Sequence, residues 1–382
     1  MEAEHTKSQF AEIVLGILAF FFTLASAVLV FWIAGTVASA DARAEAEDLV
    51  ADPMSGYERN INNLTSGALD GLIAIPKEYQ LAEDITVAPM PDADRYGSSA
   101  DPADTAPVIA AAAELMDGQS MIWSPDRELM PGSSVNWYLD DTILDITWKE
   151  VVGGSVYTFS EVKIADASQF RRYLVDDTFA SPVQYRSTEM ARTVNSVVAL
   201  SGDYYKYRGY GIVAYRRTLY RAEGQVLDTC FVDGNGDLIF VTRGTLTSKE
   251  DMEQFISEND ILFSLSFGPV MVENGENVVP PAYAVGEITQ TYSRCVICQL
   301  GELHYLLLTV NKEGPYYQVH TLNTVADTLI AMGVPKAYTL DGGQTATLVM
   351  GGNLINNVNY GSERNISDIL FFATAIPEEA EE

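Results

Sequence analysis

From Ile13 to Ala40 the chain carries no charged side chain. The run Ile13-Val14-Leu15-Gly16-Ile17-Leu18-Ala19-Phe20-Phe21-Phe22 continues through Leu29-Val30-Phe31-Trp32-Ile33. A helix rises about 1.5 Å per residue, so about 20 residues cross a hydrocarbon core, and this run is longer. A buried helix of a globular domain would show a charged face, and none appears. Trp32 stands near one end, where an interfacial aromatic belongs. The competing reading is a cleaved leader, because Ala38-Ser39-Ala40 matches a small-x-small cleavage pattern. Against it, the apolar stretch is about twice a leader's core of about 7–15 residues. The segment before it offers Lys7 alone, beside Glu2, Glu4 and Glu12. The expectation is a short N-terminal segment, 1–12, followed by an uncleaved transmembrane signal anchor over 13–40.

Residues 41–135 read as an acidic, proline-containing spacer. Asp41 to Asp48 could extend the membrane helix by about two turns. Pro53, Pro76, Pro89, Pro91, Pro102 and Pro107 then break the pattern, with Gly97-Ser98-Ser99-Ala100-Asp101 between them and a short helix expected at Val108–Met116. Residues 1–140 hold 22 acidic and 6 basic side chains, more than half of the net charge of −30. A tail, 377–382, adds four Glu. This balance excludes a nucleic-acid binder, which needs basic patches, and an anchor built on anionic headgroups. Hydrophobic residues at 47% exclude an acidic disordered chain.

From 136 to 376 the texture is that of a folded domain. Thr142–Glu150 is rich in β-formers, Gly153-Gly154 supplies a hairpin turn, and Val156–Ile164 is the return strand. Further strands are expected at Ser196–Leu200, Gly211–Tyr215, Leu238–Thr242, Arg294–Gln299, Leu303–Asn311 and Ala337–Leu340. Three helices are expected: Glu189–Thr193 with Ser187 as N-cap, Lys249–Ile256 with Ser248 as N-cap, and Leu322–Met332 between the Thr321 cap and Gly333. Strands outnumber helices in irregular order, which gives an α+β class with a mixed β-sheet and few helices.

Ala337-Tyr338-Thr339-Leu340-Asp341-Gly342-Gly343-Gln344-Thr345-Ala346-Thr347 is the strongest candidate site. A strand delivers an acid into a turn whose glycines let a ligand approach and whose N–H groups can cradle an anion. A solvent-facing Asp-Gly-Gly turn is the plain alternative. Gly361 to Asp368 offers Arg364, a planar donor for phosphate or carboxylate, beside Glu363. Ser201-Gly202-Asp203-Tyr204-Tyr205 places an acid and two aromatics at a strand end. Cys295-Val296-Ile297-Cys298 has metal-ligand spacing, but residues three apart on a strand face opposite sides, so structural thiols are expected. His304 reads as structural, His320 as the better functional candidate. No Walker or dinucleotide fingerprint is present and no cofactor is expected. A divalent metal could sit near Asp341, though no ligand set identifies one.

Taken in order, these segments resemble the phosphodiester glycosidase family, which includes a lysosomal uncovering enzyme and bacterial exopolysaccharide-related members. The likeness spans about Val156 to Ala375. The family's Ser-Glu-x-Ala segment is similar to Thr188-Glu189-Met190-Ala191, and its Asn-Gly-x-Tyr/Phe segment to Ser201-Gly202-Asp203-Tyr204. Its Gly-Pro segment is similar to Gly268-Pro269, and its Arg-Thr segment to Arg294-Cys295. Its Asp-Gly-Gly-Gly-Ser-Ser-Thr signature is similar to Asp341 to Thr347. Its last two segments are similar to Ile355-Asn356 and Glu363-Arg364-Asn365-Ile366-Ser367-Asp368. Gln344, Thr345, Ala346, Cys295, Ser201 and Asp368 depart from the pattern.

The resemblance implies hydrolysis of a sugar C1–O–P linkage. Arg294 and Arg364 suit the phosphate; Asp341 or Asp203 suits the oxocarbenium-like carbon, as base or nucleophile. Gly342, Gly343, Thr345, Thr347, Tyr204, Glu189, Asn356 and Glu363 are the expected substrate contacts. The partners expected are a glycan or sugar phosphodiester, and the membrane through the N-terminal helix. The resemblance also favours an extracytoplasmic domain on a single-pass anchor. The altered signature keeps open a non-catalytic glycan-binding or scaffolding module in exopolysaccharide or cell-wall assembly.

Overall fold

The computed structural model describes residues 79–223, 226–285 and 288–377. The segment 1–12, the apolar run 13–40, the spacer up to residue 78 and the acidic tail from Glu378 lie outside the described residues. Among the described residues no helix is long and apolar enough to cross a membrane.

Two long strands set the frame. Ile143–Val152 and Ser155–Ile164 pair antiparallel, with Val152 opposite Ser155. Gly153 and Gly154 between them both have positive φ, 55° and 81°, the backbone that a tight two-residue hairpin turn requires. Pairing then runs outward through His304–Asn311, Arg294–Gly301, Lys336–Leu340, Val270–Glu273 and Glu276–Asn277 on one side. On the other side it runs through Val135–Leu139 to Tyr96–Ser99, which makes nine strands.

Both faces of this sheet are covered, and the period-two alternation of strands decides which residue meets which cover. Tyr157, Phe159, Leu306, Leu308, Val296 and Cys298 face a core closed by Trp123, Trp148 and the helix Leu322–Ala331. Val162, Ile164, Tyr305, Leu307, Cys295 and Ile297 face the opposite core. That second core is closed by two five-stranded sheets. One contains Thr229–Asp233, Ile261–Leu265 and Gly211–Tyr215; the other contains Val198–Ser201, Leu348–Met350 and Asp368–Phe372. Each large apolar side chain so buried contributes about 1.5–3 kcal/mol. Cys295 and Cys298 therefore lie on opposite faces, and burial pushes all three thiols well above their ordinary value. The Cys-x-x-Cys spacing is two core positions on opposite faces of one strand.

The helices follow their caps. Ser248 caps Lys249–Glu258 by accepting from the Asp251 N–H, and Thr321 caps Leu322–Ala331 by accepting from the Thr324 N–H. Ser187 is a correction: it is the first helical residue, and Arg186 holds the cap position of Ser187–Thr193.

The larger correction concerns residues 79–135. Composition assigns them to a spacer, yet they are part of the domain. Tyr96–Ser99 and Val135–Leu139 form one edge of the nine-stranded sheet. Two short helices, Ala106–Ala111 and Ala113–Met116, deliver Met116 to the core beside Trp123. The Trp123 indole N–H donates to Thr105 Oγ1 at 2.9 Å, and its backbone N–H donates to Glu161 at 2.7 Å. The Pro/Gly content reflects tight turns, not an extended tether. The first described residues are fastened too. Arg171 donates to the carbonyls of Ala82 at 2.6 Å, Ile85 at 2.7 Å and Leu81 at 3.2 Å.

Candidate active site

Strand ends from all three sheets converge at one cleft of about 450 Å³. Lys336–Leu340 delivers Asp341; Val198–Ser201 leads into Asp203 and Tyr204; Ile261–Leu265 leads into Phe267. Tyr204, Phe267, Tyr283, Tyr292, Arg294, Asp341 and Gly342 line the space.

The Asp341 turn is shaped by close approach. A Cβ on Gly342 would lie 2.3 Å from the Ser293 carbonyl oxygen. Gly343 has φ +68° and would bring a Cβ to 2.9 Å from the Tyr292 ring. Both positions therefore require glycine. Thr345 Oγ1 donates to the Gly342 carbonyl at 2.7 Å and also hydrogen-bonds the Asp341 carboxyl. Burial pushes the Asp341 carboxyl up to about 6; Thr345, Arg364 and Arg208 pull it down, and Asp203 adds an upward push. A carboxyl titrating near 6 can change protonation state at working pH.

Arg294 is buried, donates to the Gln290 carbonyl at 2.6 Å, and packs 5.8 Å from the centre of the Tyr292 ring. Arg208, which the sequence reading passed over, is the second buried cation. It pairs with Asp203 and sits among Tyr204, Tyr210 and Phe267, at 5.7, 5.9 and 5.3 Å from their ring centres. Its Nε and Nη1 have no partner among the described residues. Buried guanidinium donors without partners, beside a cleft, suit an oxyanion. The one available signal in the sequence was its position, five residues beyond Asp203.

Asp203 lies behind the cleft wall. Its Oδ1 takes Arg208, and its Oδ2 accepts from the Ser266 N–H at 2.8 Å. Arg172 stands 3.9 Å from Oδ2 and pairs closely with Asp368, at 2.7 Å. Asp368 in turn accepts from the Asp203 N–H at 3.0 Å, and burial raises its carboxyl above the ordinary value. This Arg172–Asp368–Asp203–Arg208 chain spans two sheets. Arg172 gave no sequence signal, because its partners lie far along the chain, and Asp368 stood out only as a departure from the family pattern. Two departures from the family pattern also meet: Ser201 Oγ and Cys295 Sγ are 3.3 Å apart.

The other expected residues divide. Tyr204 lines the cleft and stacks on Tyr207 at 4.6 Å between ring centres. Arg364 is exposed at the rim, over the Tyr207 ring at 5.0 Å, and its charge reaches Asp341. Gln344 ties the signature turn to the Arg364 loop by donating to the Ser362 carbonyl at 2.9 Å. Thr347 is buried, donating to the Thr345 carbonyl at 3.3 Å. Asn356 is buried too. It donates to Ala346 O and Asn311 Oδ1 and accepts from the Leu348 N–H, so it braces the turn from behind. Glu363 accepts from Ser187, from the Thr188 N–H and from the Thr188 hydroxyl, which fixes the start of the helix Ser187–Thr193. Glu189 is exposed and accepts from the Arg186 N–H. Each of these last three also holds local structure through the backbone and side-chain groups around it.

His304 accepts or donates at 2.8 Å to Glu161 in the core, and His320 pairs with the Tyr157 hydroxyl at 2.7 Å. Neither lines the cleft. Among the described residues no group of three or more His, Cys, Asp or Glu side chains converges as a metal set.

No curated protein matches the chain. Solved structures similar to it include the following three. The zebrafish N-acetylglucosamine-1-phosphodiester alpha-N-acetylglucosaminidase catalytic domain, auto-inhibited by its pro-peptide, is 17% identical. The alignment covers 60% of this chain and 82% of that one, with a TM-score of 0.48. A hypothetical protein from Synechocystis is 13% identical, covering 61% and 62%, with a TM-score of 0.44. A putative exported protein from Burkholderia pseudomallei is 10% identical, covering 57% and 74%, with a TM-score of 0.39. The family model for phosphodiester glycosidases matches residues 194–373, which hold Asp203, Arg208, Arg294, Asp341 and Arg364. That stretch of the chain, the one that builds the cleft, is thus similar to phosphodiester glycosidase domains.

Proposed function

We propose that the protein is a membrane-anchored, extracytoplasmic glycosidase that hydrolyses a sugar-1-phosphodiester linkage in an envelope or extracellular glycan. One observation carries the proposal: a carboxyl that titrates near 6, Asp341, faces the same aromatic-walled cleft as the buried cation Arg294, with Arg208 packed against Phe267 and Tyr204 of its wall. The phosphate of the substrate lies against Arg294, with the charge of Arg208 behind the cleft wall and Arg364 closing from the rim. These charges stabilise the departing phosphate monoester, a good leaving group that needs little acid help. Tyr204 and Tyr292 hold the sugar ring by its apolar face. The ionised Asp341 carboxylate faces C1, where positive charge develops as the C1–O bond breaks. A water then supplies the new oxygen at C1 and its proton leaves to the carboxylate; the oxygen of the broken bond departs with the phosphate. Asp203 keeps Arg208 in place. The apolar run 13–40 supplies the anchor.

The test is incubation of the purified full-length protein with a panel of sugar-1-phosphodiesters, with free sugar and phosphate monoester as the readout. Release of both in equal amounts is expected. Tight glycan binding without any release would replace the enzyme by a binding module.

A further inference from the structure

Tyr292 bounds more than the Asp341 cleft. The same residue also lines a second groove of about 550 Å³, outside the Asp341 site and lined in part by Tyr317 and Tyr360. Both volumes lie in the range of about 300–1,000 Å³ typical of small-molecule sites, so two sites sharing one wall residue are available. Tyr317 is 70% exposed and Tyr360 is 91% exposed, the largest values among the exposed apolar side chains.

The groove is built. Asn357 Nδ2 donates to the Lys312 carbonyl at 2.6 Å and joins the two walls. Ser293 Oγ donates to Asn359 Oδ1 at 3.0 Å and fixes the loop to the strand that carries Arg294. Glu313 and Tyr316 exchange backbone hydrogen bonds at 3.0 and 2.9 Å, a turn that presents the next residue, Tyr317. Tyr360 has φ +65°, a left-handed backbone that a bulky side chain rarely adopts. Backbone strain held at an exposed ring beside a candidate active site points to a role for the ring.

We infer that this groove is a binding subsite for a glycan chain attached through the phosphate, whose sugars stack on Tyr317 and Tyr360. Two arguments choose that occupant. Exposed tyrosines offer a flat apolar face and a polar tip, the match for the C–H face and the hydroxyls of a sugar. Tyr360 and the rim cation Arg364 share one loop, so whatever lies on the far side of a phosphate held by Arg364 is led toward Tyr360. The inference rests on the glycosidase reading for its orientation and makes the preferred substrate an oligosaccharide phosphodiester in place of a small ester.

The experiment compares two substrates with the same α-N-acetylglucosamine-1-phosphodiester linkage, one with a methyl aglycone and one with a linear tetrasaccharide aglycone. Wild type is measured against Tyr317→Ala/Tyr360→Ala and against Tyr317→Phe/Tyr360→Phe. The ratio of kcat/KM, tetrasaccharide over methyl, is expected to fall at least fivefold in the alanine variant, mainly through KM, and to stay near wild type in the phenylalanine variant. An unchanged ratio in the alanine variant overturns the subsite while leaving the glycosidase reading intact. If wild type cleaves neither ester, that reading fails by itself. Titration of the uncleaved tetrasaccharide ester then decides the subsite: at least fivefold weaker binding to the alanine variant supports it, and equal or absent binding overturns it.

Discussion

Two sets of charges lie one behind the other at the strand ends, and the fold treats them differently. Behind the cleft, Arg172 and Arg208 are matched by Asp368 and Asp203 with little solvent around them. At the cleft, Asp341 has the Thr345 hydroxyl and only the more distant charges of Arg364 and Arg208, and burial lifts its carboxyl to about 6. The matched set stiffens the junction of the sheets. The unmatched carboxylate is left in an environment that disfavours its charge, which is the usual state of a group kept for reaction with a ligand. Position alone separates the two roles: both sets are built from the same residue types.

Replacing Asp341 by Asn should break the comparison most sharply. Loss of a positioned acid–base group costs about 10²–10⁴-fold in kcat, measured as sugar release. The same change should stabilise the fold. A carboxyl lifted from 3.8 to about 6 by folding binds its proton more tightly in the native state. Its destabilising effect is absent well below pH 3.8, grows as pH rises toward 6, and is complete above 6. Urea denaturation should therefore show Asp341→Asn more stable than wild type by on the order of 1 kcal/mol at pH 8, after discounting for partial exposure, and equal to it at low pH. In wild type, kcat/KM should rise with pH through about 6 as Asp341 ionises.

Arg172→Met acts on the other set. It leaves Asp368 buried and unpaired, so stability should fall by about 3–5 kcal/mol. Thermal unfolding of the variant should begin about 10 °C earlier, and activity should fall as Asp203 and Arg208 lose their brace. Restoring an apolar partner with Asp368→Leu in the same chain should recover most of the stability and none of the activity. If Arg172→Met alone left the midpoint unchanged, the matched set would not be stiffening the junction.

Arg364→Ala should give the smallest effect. The side chain is exposed at the rim, and exposed charge pairs are weak. KM for a sugar phosphodiester should rise about three- to tenfold with kcat nearly unchanged, and with no change in unfolding midpoint, because about 1 kcal/mol of binding is removed. A loss as deep as that of Asp341→Asn would move Arg364 from the rim into the reacting centre.

The elements legible in the sequence are those specified locally. Gly153-Gly154 announces its hairpin, Ser248 and Thr321 announce their helices, and the strand leading into Asp341-Gly342-Gly343 announces the cleft. What escaped was specified by distant partners. Tyr96–Ser99 is a strand because an edge of the nine-stranded sheet accepts it, and its own composition of Gly and Ser reads as linker. Arg172 sits in an ordinary strand and Arg208 in a tyrosine-rich loop; each becomes part of the site only when two sheets meet. Glu363 and Asn356 stand in motifs that suggest ligand contacts, and what the motif did not show is that each also holds its loop through nearby groups.

The Arg171 clamp on residues 81–85 has a mechanical consequence. One half-buried side chain fastens the first described turn of the domain through four backbone carbonyls. Arg217 adds a second fastening through Glu83, at 2.6 Å. Any tension arriving along the chain from before residue 79 is thus carried by Arg171, Arg217 and the strand Phe170–Leu174. The load enters the sheet that holds Asp368 through that strand, which pairs with Asp368–Phe372 over five residues. Such a mounting works like the strain relief on a cable: it lets the domain be pulled or jostled from its N-terminal end without the edge strand Tyr96–Ser99 being peeled away first.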